Sequence, residues 1–146
     1  VISGGVAAVN RAIDLLKAAG AKRALPLPVS APFHCALMQP AADAMAKALA
    51  SVDLKSPVVP LVSNVLAQPI TDPTEIRRRL VDQVTGMVRW TESVGWLVGA
   101  GGVTQLVELG AGKVLSGLAK RIAPDVAAVS LGTAADIDAF VASLSA

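Results

Sequence analysis

The sequence predicts an α/β fold with a largely parallel sheet, and three observations carry that expectation. Short β-branched runs alternate with segments of helical periodicity along most of the chain. Glycine, proline or Asp-Pro punctuation stands at many of the junctions. With 53% hydrophobic residues over 146 positions, the chain is long and apolar enough to bury a core, and it reads as globular.

Val1 to Ser3 reads as a strand fragment, and Gly4-Gly5 permit a sharp exit into a helix. Val6, Val9, Ile13 and Leu16 recur at helical spacing up to Ala19, with Arg11, Asp14 and Lys17 on the other face. Gly20 stops that helix as a left-handed cap. A strand over Ala24 to Val29 completes a β-α-β opening. An amphipathic helix follows over Leu37 to Ser51, where Met38 and Met45 are core filler. Pro57 and Pro60 bracket a strand over Val58 to Val62, and Ser63-Asn64 is turn chemistry. Asp72-Pro73 supplies an N-cap and a first-turn proline for a helix over Pro73 to Val84.

Arg77, Arg78 and Arg79 fan around that helix, so they cannot all face one ligand. A solvated face and attraction to an acidic partner are both open to them, and Asp82 is well placed to pair with Arg79. Trp90, Val94 and Leu97 set a short helix over Trp90 to Val98. A strand over Val103 to Leu109 leads through Gly110-Ala111-Gly112 into a helix over Lys113 to Ile122. A glycine turn before a helix can cradle an anion or serve plain tight packing. Val126 to Ser130 is the last strand and Asp136 to Leu144 the last helix.

Composition excludes several classes of function. Thirteen Lys and Arg against eleven Asp and Glu leave a net charge of +2, too weak for a nucleic-acid surface, and 3% aromatics with no tyrosine leave few stacking platforms. One cysteine and one histidine cannot build a disulfide or a zinc site, so no metal is expected. Neither a membrane span nor a leading signal segment is expected, and a reducing cytoplasm is the simplest compartment. The opening Val1-Ile2-Ser3, without an initiating methionine, reads as the later part of a longer protein.

Chemistry is expected to start at Pro28-Val29-Ser30-Ala31-Pro32-Phe33-His34-Cys35-Ala36-Leu37-Met38. Prolines 26, 28 and 32 keep the backbone extended until about Phe33, and a helix follows. His34, the only histidine, therefore sits at a strand-to-helix corner, where open α/β sheets place their ligands. A hydrogen-bonded packing role and a proton-transfer role both fit it.

The run from Leu27 to Ala42 resembles the segment that carries the catalytic histidine in malonyl-CoA:acyl-carrier-protein transacylases. Two further blocks, Leu80 to Val94 and Val107 to Leu118, resemble the same family in the same order; Ala111 departs from the proline more usual between the glycines. The resemblance implies the carboxyl-terminal half of such an enzyme. Residues 1–30 would be part of a ferredoxin-like small subdomain, and 31–146 the C-terminal part of an α/β-hydrolase-like catalytic subdomain.

It further implies malonyl transfer from coenzyme A to the phosphopantetheine thiol of acyl carrier protein through a Ser-His dyad, in fatty-acid or polyketide synthesis. No cofactor is expected beyond the coenzyme A thioester as substrate. His34 would be the base, oriented by the backbone carbonyl of Gln83. Phe33 would crowd the space of an α-methyl group or simply anchor the turn. Asn64 could face the cleft mouth or stabilise its turn. No Gly-x-Ser-x-Gly frame occurs in the chain, so the serine would lie in a missing N-terminal half, and this chain alone is expected to be inactive. A stand-alone α/β binding or regulatory module, its sheet covered on both faces, is the alternative.

Overall fold

The structure, a computed structural model, describes residues 1–144. It is a mixed α/β chain with a small parallel sheet, divided into a compact unit Val1–Arg89 and a second that begins at Trp90. No helix among the described residues is long and apolar enough to cross a membrane.

The first unit opens with α1 (Val6–Ala18), none of whose residues is buried. Its end follows the glycine expectation: Gly20 has φ 88°, its N–H donates to Lys17 O, and the Ala21 N–H donates to Leu16 O. That pair of bonds is a Schellman motif, which satisfies carbonyls the helix leaves without partners. After a 3-10 turn (Ala36–Met38), α2 (Gln39–Ala50) packs on α3 (Pro73–Thr85), and each buries one apolar residue, Ala42 and Ile76. The Asp72 carboxylate accepts the Glu75 N–H at 2.7 Å, so α3 starts where Asp72-Pro73 places it. Between them β1 (Leu61–Val62) and β2 (Pro69–Ile70) form a short antiparallel hairpin.

Two expected strands, Val1 to Ser3 and Ala24 to Val29, are absent, so the β-α-β opening does not form. β-propensity produces a strand only where a neighbouring backbone accepts the ladder, and in the second segment Pro26 and Pro28 also lack N–H donors. The strand expected over Val58 to Val62 shrinks to its last two residues and pairs antiparallel, since Pro57 and Pro60 offer no N–H upstream of it.

In the second unit α4 (Trp90–Val98) precedes β3 (Gln105–Leu109), α5 (Val114–Ile122), β4 (Ala127–Leu131) and α6 (Ala134–Ser143). β3 and β4 are parallel, with Gln105 opposite Ala127 and Leu109 opposite Leu131, and α5 is the crossover between them. Val94, Ala119 and Leu131 form the buried core. Thr133 and Asp136 make a reciprocal capping box at the start of α6.

Candidate active site around His34

The segment before His34 is unpaired and bends at Pro28, Ser30 and Ala31 instead of staying extended, so the ring does not stand at the end of a sheet as the sequence suggested. It stands against the end of a helix. His34 adopts φ 58°, in the left-handed region that non-glycine residues avoid. Local bonds bracket this turn: the Phe33 N–H donates to Ala31 O at 2.9 Å, and the Cys35 thiol to Pro32 O at 3.1 Å.

The exposed imidazole places Nδ1 2.9 Å from the Gln83 carbonyl oxygen and 3.1 Å from that of Gly86. Helix α3 ends at Thr85, so carbonyls of its last turn have no partner within the helix. Carbonyl oxygens only accept, and therefore Nδ1 carries the proton and shares it between them. The neutral ring then keeps its free lone pair on Nε2.

Gln83 faces a second partner. Its side-chain Oε1 accepts from Asn64 Nδ2 at 2.7 Å, while its main chain serves His34. Asn64 lies in the hairpin loop, where the Arg89 N–H donates to Asn64 O at 2.9 Å and Arg89 Nη1 to Leu66 O at 2.9 Å. Asn64 and Gln83 also line a cavity of about 260 Å³ together with Ser63 and Arg79. Three of the four expected site residues, His34, Gln83 and Asn64, are thus joined by hydrogen bonds. Phe33 is placed beside them by adjacency in the chain, 46% exposed.

Two features went unseen in the sequence. Gly86 supplies the second acceptor, and a Cβ there would sit 2.7 Å from Val65 Cγ1, so glycine is required where the loop meets the helix end. A glycine just past a helix C-terminus was the available signal. The other feature is a cluster in the second unit. Glu108 accepts from the Leu115 and Ser116 N–H groups at 3.0 and 2.9 Å and from the Ser116 hydroxyl, and Ser130 also hydrogen-bonds it. The Ser116 hydroxyl and N–H hold the Glu108 carboxyl down at about 2. The first-turn amides of α5, which follow the Gly110-Ala111-Gly112 turn, thus serve the chain's own carboxylate.

The arginine run is likewise largely consumed internally. Arg79 bonds Glu75 at 2.7 Å and Asp82 at 3.0 Å, Arg78 bonds Glu75 at 2.7 Å, and Arg77 donates to Val52 O at 2.8 Å. The expected Arg79–Asp82 pair is present.

No family model matches the chain. Over 139 residues, 95% of its length, the chain is 49% identical to the malonyl CoA-acyl carrier protein transacylase of Haemophilus influenzae. The chain belongs to the malonyl-CoA:acyl-carrier-protein transacylase family. Among solved transacylases, the acyl-carrier-protein-S-malonyltransferase of Bartonella henselae superposes with a TM-score of 0.87 at 51% identity, covering 98% of this chain and 45% of that one. A malonyl-transacylase solved in complex with a type II PKS acyl-carrier protein gives a TM-score of 0.84 at 47% identity, over 95% of this chain and 45% of that one. The chain therefore spans less than half the length of the transacylases it matches, 44% of the Haemophilus enzyme.

Proposed function

We propose that the chain is the carboxyl-terminal half of a malonyl-CoA:acyl-carrier-protein transacylase and supplies the general base of a Ser-His dyad. The observation that carries this reading is the bond from His34 Nδ1 to the Gln83 carbonyl, because it leaves Nε2 free to accept a proton. A serine outside this chain loses its proton to Nε2 as it attacks the malonyl thioester carbonyl. The tetrahedral intermediate then expels coenzyme A, whose sulfur takes the proton from the imidazolium. In the second half the phosphopantetheine thiol of acyl carrier protein gives its proton to Nε2 and attacks the malonyl ester, and the serine oxygen recovers the proton as it leaves. The ring cycles between neutral and charged forms with its Nδ1 held against the Gln83 and Gly86 carbonyls.

In this reading Phe33 and Asn64 lie on the substrate side of the cleft, and Phe33 disfavours an α-methyl group. One methyl is worth only ~1–3 kcal/mol of discrimination. Residues 31–146, of which 145 and 146 lie outside the described residues, belong to the hydrolase-like catalytic subdomain, and residues 1–30 to the ferredoxin-like one. The enzyme works in the cytoplasm, in fatty-acid or polyketide synthesis, with coenzyme A thioester as substrate and no cofactor.

Exposed apolar surface supports a half-enzyme over a self-contained binding module. The chain exposes 10072 Å², against about 7,000 Å² for a folded monomer of this size and about 8,400 Å² for two wholly separate domains of its two units' sizes. Much of it is apolar: Val6 is 78% exposed, and Leu25, Leu27 and Val29 are each 59% exposed. A covering half of the same enzyme fits such a surface.

The test is His34→Ala in the complete enzyme, where transfer falls by orders of magnitude while the circular dichroism spectrum is retained. Undiminished transfer ends the proposal. The purified 146-residue chain should form no malonyl-enzyme, and a labelled ester on it would refute the assignment of the serine elsewhere.

A further inference from the structure

Gln83 serves His34 through a main-chain oxygen, which any residue could provide, so its side chain needs a separate explanation. We propose that Asn64 is a positioning residue for His34: by gripping the Gln83 side chain it fixes the last turn of α3, and with it the carbonyl that selects the imidazole tautomer. This rests on the reading of His34 as the proton acceptor and adds the device that keeps it in the accepting form.

Helix ends fray, and α3 ends one residue before Gly86. Gln83 O and Gly86 O lie on either side of that end, so both acceptors of Nδ1 move if the last turn opens. The 2.7 Å amide bond from Asn64 crosses from the hairpin loop to this turn. The loop is a firm anchor: the Ser63 N–H donates to Gln68 O, the Ala67 N–H to Ser63 O at 2.7 Å, and Arg89 bonds it through both its N–H and its guanidinium. Both amides are half-buried, which favours the bond over exchange with water. Val65, next to Asn64, abuts Gly86 closely enough to exclude a Cβ there.

His34 itself is exposed and left-handed, so the two carbonyls govern its ring. A neutral imidazole in water favours the Nε2–H tautomer, which has no lone pair on the nitrogen that must accept. Loss of the Asn64 grip lets the carbonyls recede and returns the ring to that inactive form.

The chain has one histidine, so a long-range 1H–15N NMR spectrum of the whole 146-residue chain at alkaline pH reads a single neutral ring. Nδ1–H is expected to dominate in the parent. Asn64→Leu and Gln83→Met, the latter a good helix former that keeps the main-chain carbonyl, each shift the tautomer ratio about fivefold toward Nε2–H. The double variant shifts it no further, because the two residues act as one link. Gln83→Glu keeps the accepting oxygen and restores the parent ratio. In the complete enzyme Gln83→Met lowers kcat and leaves KM for malonyl-CoA unchanged.

A parent-like ratio in Gln83→Met, or losses that add in the double variant, overturns the inference. The two proposals fail separately. An unmoved tautomer together with a dead His34→Ala enzyme sinks only the positioning role, whereas a shifted tautomer with a fully active His34→Ala enzyme sinks the catalytic one.

Discussion

The Glu108 carboxylate accepts the Ser116 N–H at 2.9 Å, tying the C-terminal end of β3 to the first turn of α5. Its carboxyl is held at about 2 against an ordinary 4.5 by the Ser116 hydroxyl and N–H. The folded-state value is depressed, so between these limits the unfolded chain binds the proton that the folded chain refuses. The stabilisation is complete above pH 4.5 and is lost as pH falls toward 2. Urea midpoints of the parent should drop through that window, and Glu108→Gln should start lower at neutral pH and fall less steeply. Glu75, held low by Arg78 and then Arg79, and Asp136, held low by Thr133, add to the same slope, so it is reduced rather than abolished. An unaltered slope in Glu108→Gln would be contrary to this account.

At His34 the backbone and the ring can be separated by substitution. With φ 58°, a residue carrying a Cβ is strained and glycine is not. His34→Gly should therefore be more stable than His34→Ala by about 1 kcal/mol in urea denaturation, although both lose the same ring. Equal stability would mean that this turn relaxes to negative φ once the imidazole is gone.

Gly86 sits where helix and loop press together. Alanine there meets the Val65 side chain at Cγ1, 2.7 Å away, and the main-chain Asp82 O at 2.9 Å, an oxygen held within α3. Gly86→Ala should cost ~1–3 kcal/mol by chemical denaturation. The single imidazole NMR signal should move as well, since Gly86 O is one of its acceptors.

Each unit also carries one helix cap that can be removed without touching the site. Asp72→Ala deletes the acceptor of the Glu75 N–H in the first unit, and Thr133→Ala deletes half of the capping box in the second. Each should cost about 1 kcal/mol, and Asp72→Asn should cost much less. Urea midpoints measured on the three variants decide it.

The features legible in the sequence are those written locally. Asp72-Pro73 fixes the start of α3, and the spacing of Trp90, Val94 and Leu97 gives α4 its observed bounds. The strands expected at Val1 to Ser3 and Ala24 to Val29 failed because pairing is a property of two segments, and one segment's composition does not reveal whether a second lies alongside. The site divides in the same way. Prolines before His34 mark the turn, but the acceptors of its ring lie 49 and 52 residues away, and Gln83 was reached through family resemblance alone. The Glu108–Ser116 link, between a strand and the helix after it, has no periodic signature either.

Helix α1 has thirteen residues and buries none of them. Helices of that length are marginal in water when nothing packs on them, so its backbone amides should take up deuterium early, ahead of those in β3 and β4. A leucine-bearing segment that opens so readily is also what cellular proteases cut first. On the reading proposed above, a cell making this polypeptide by itself would hold little of it, and its abundance would follow the synthesis of the half that shields α1.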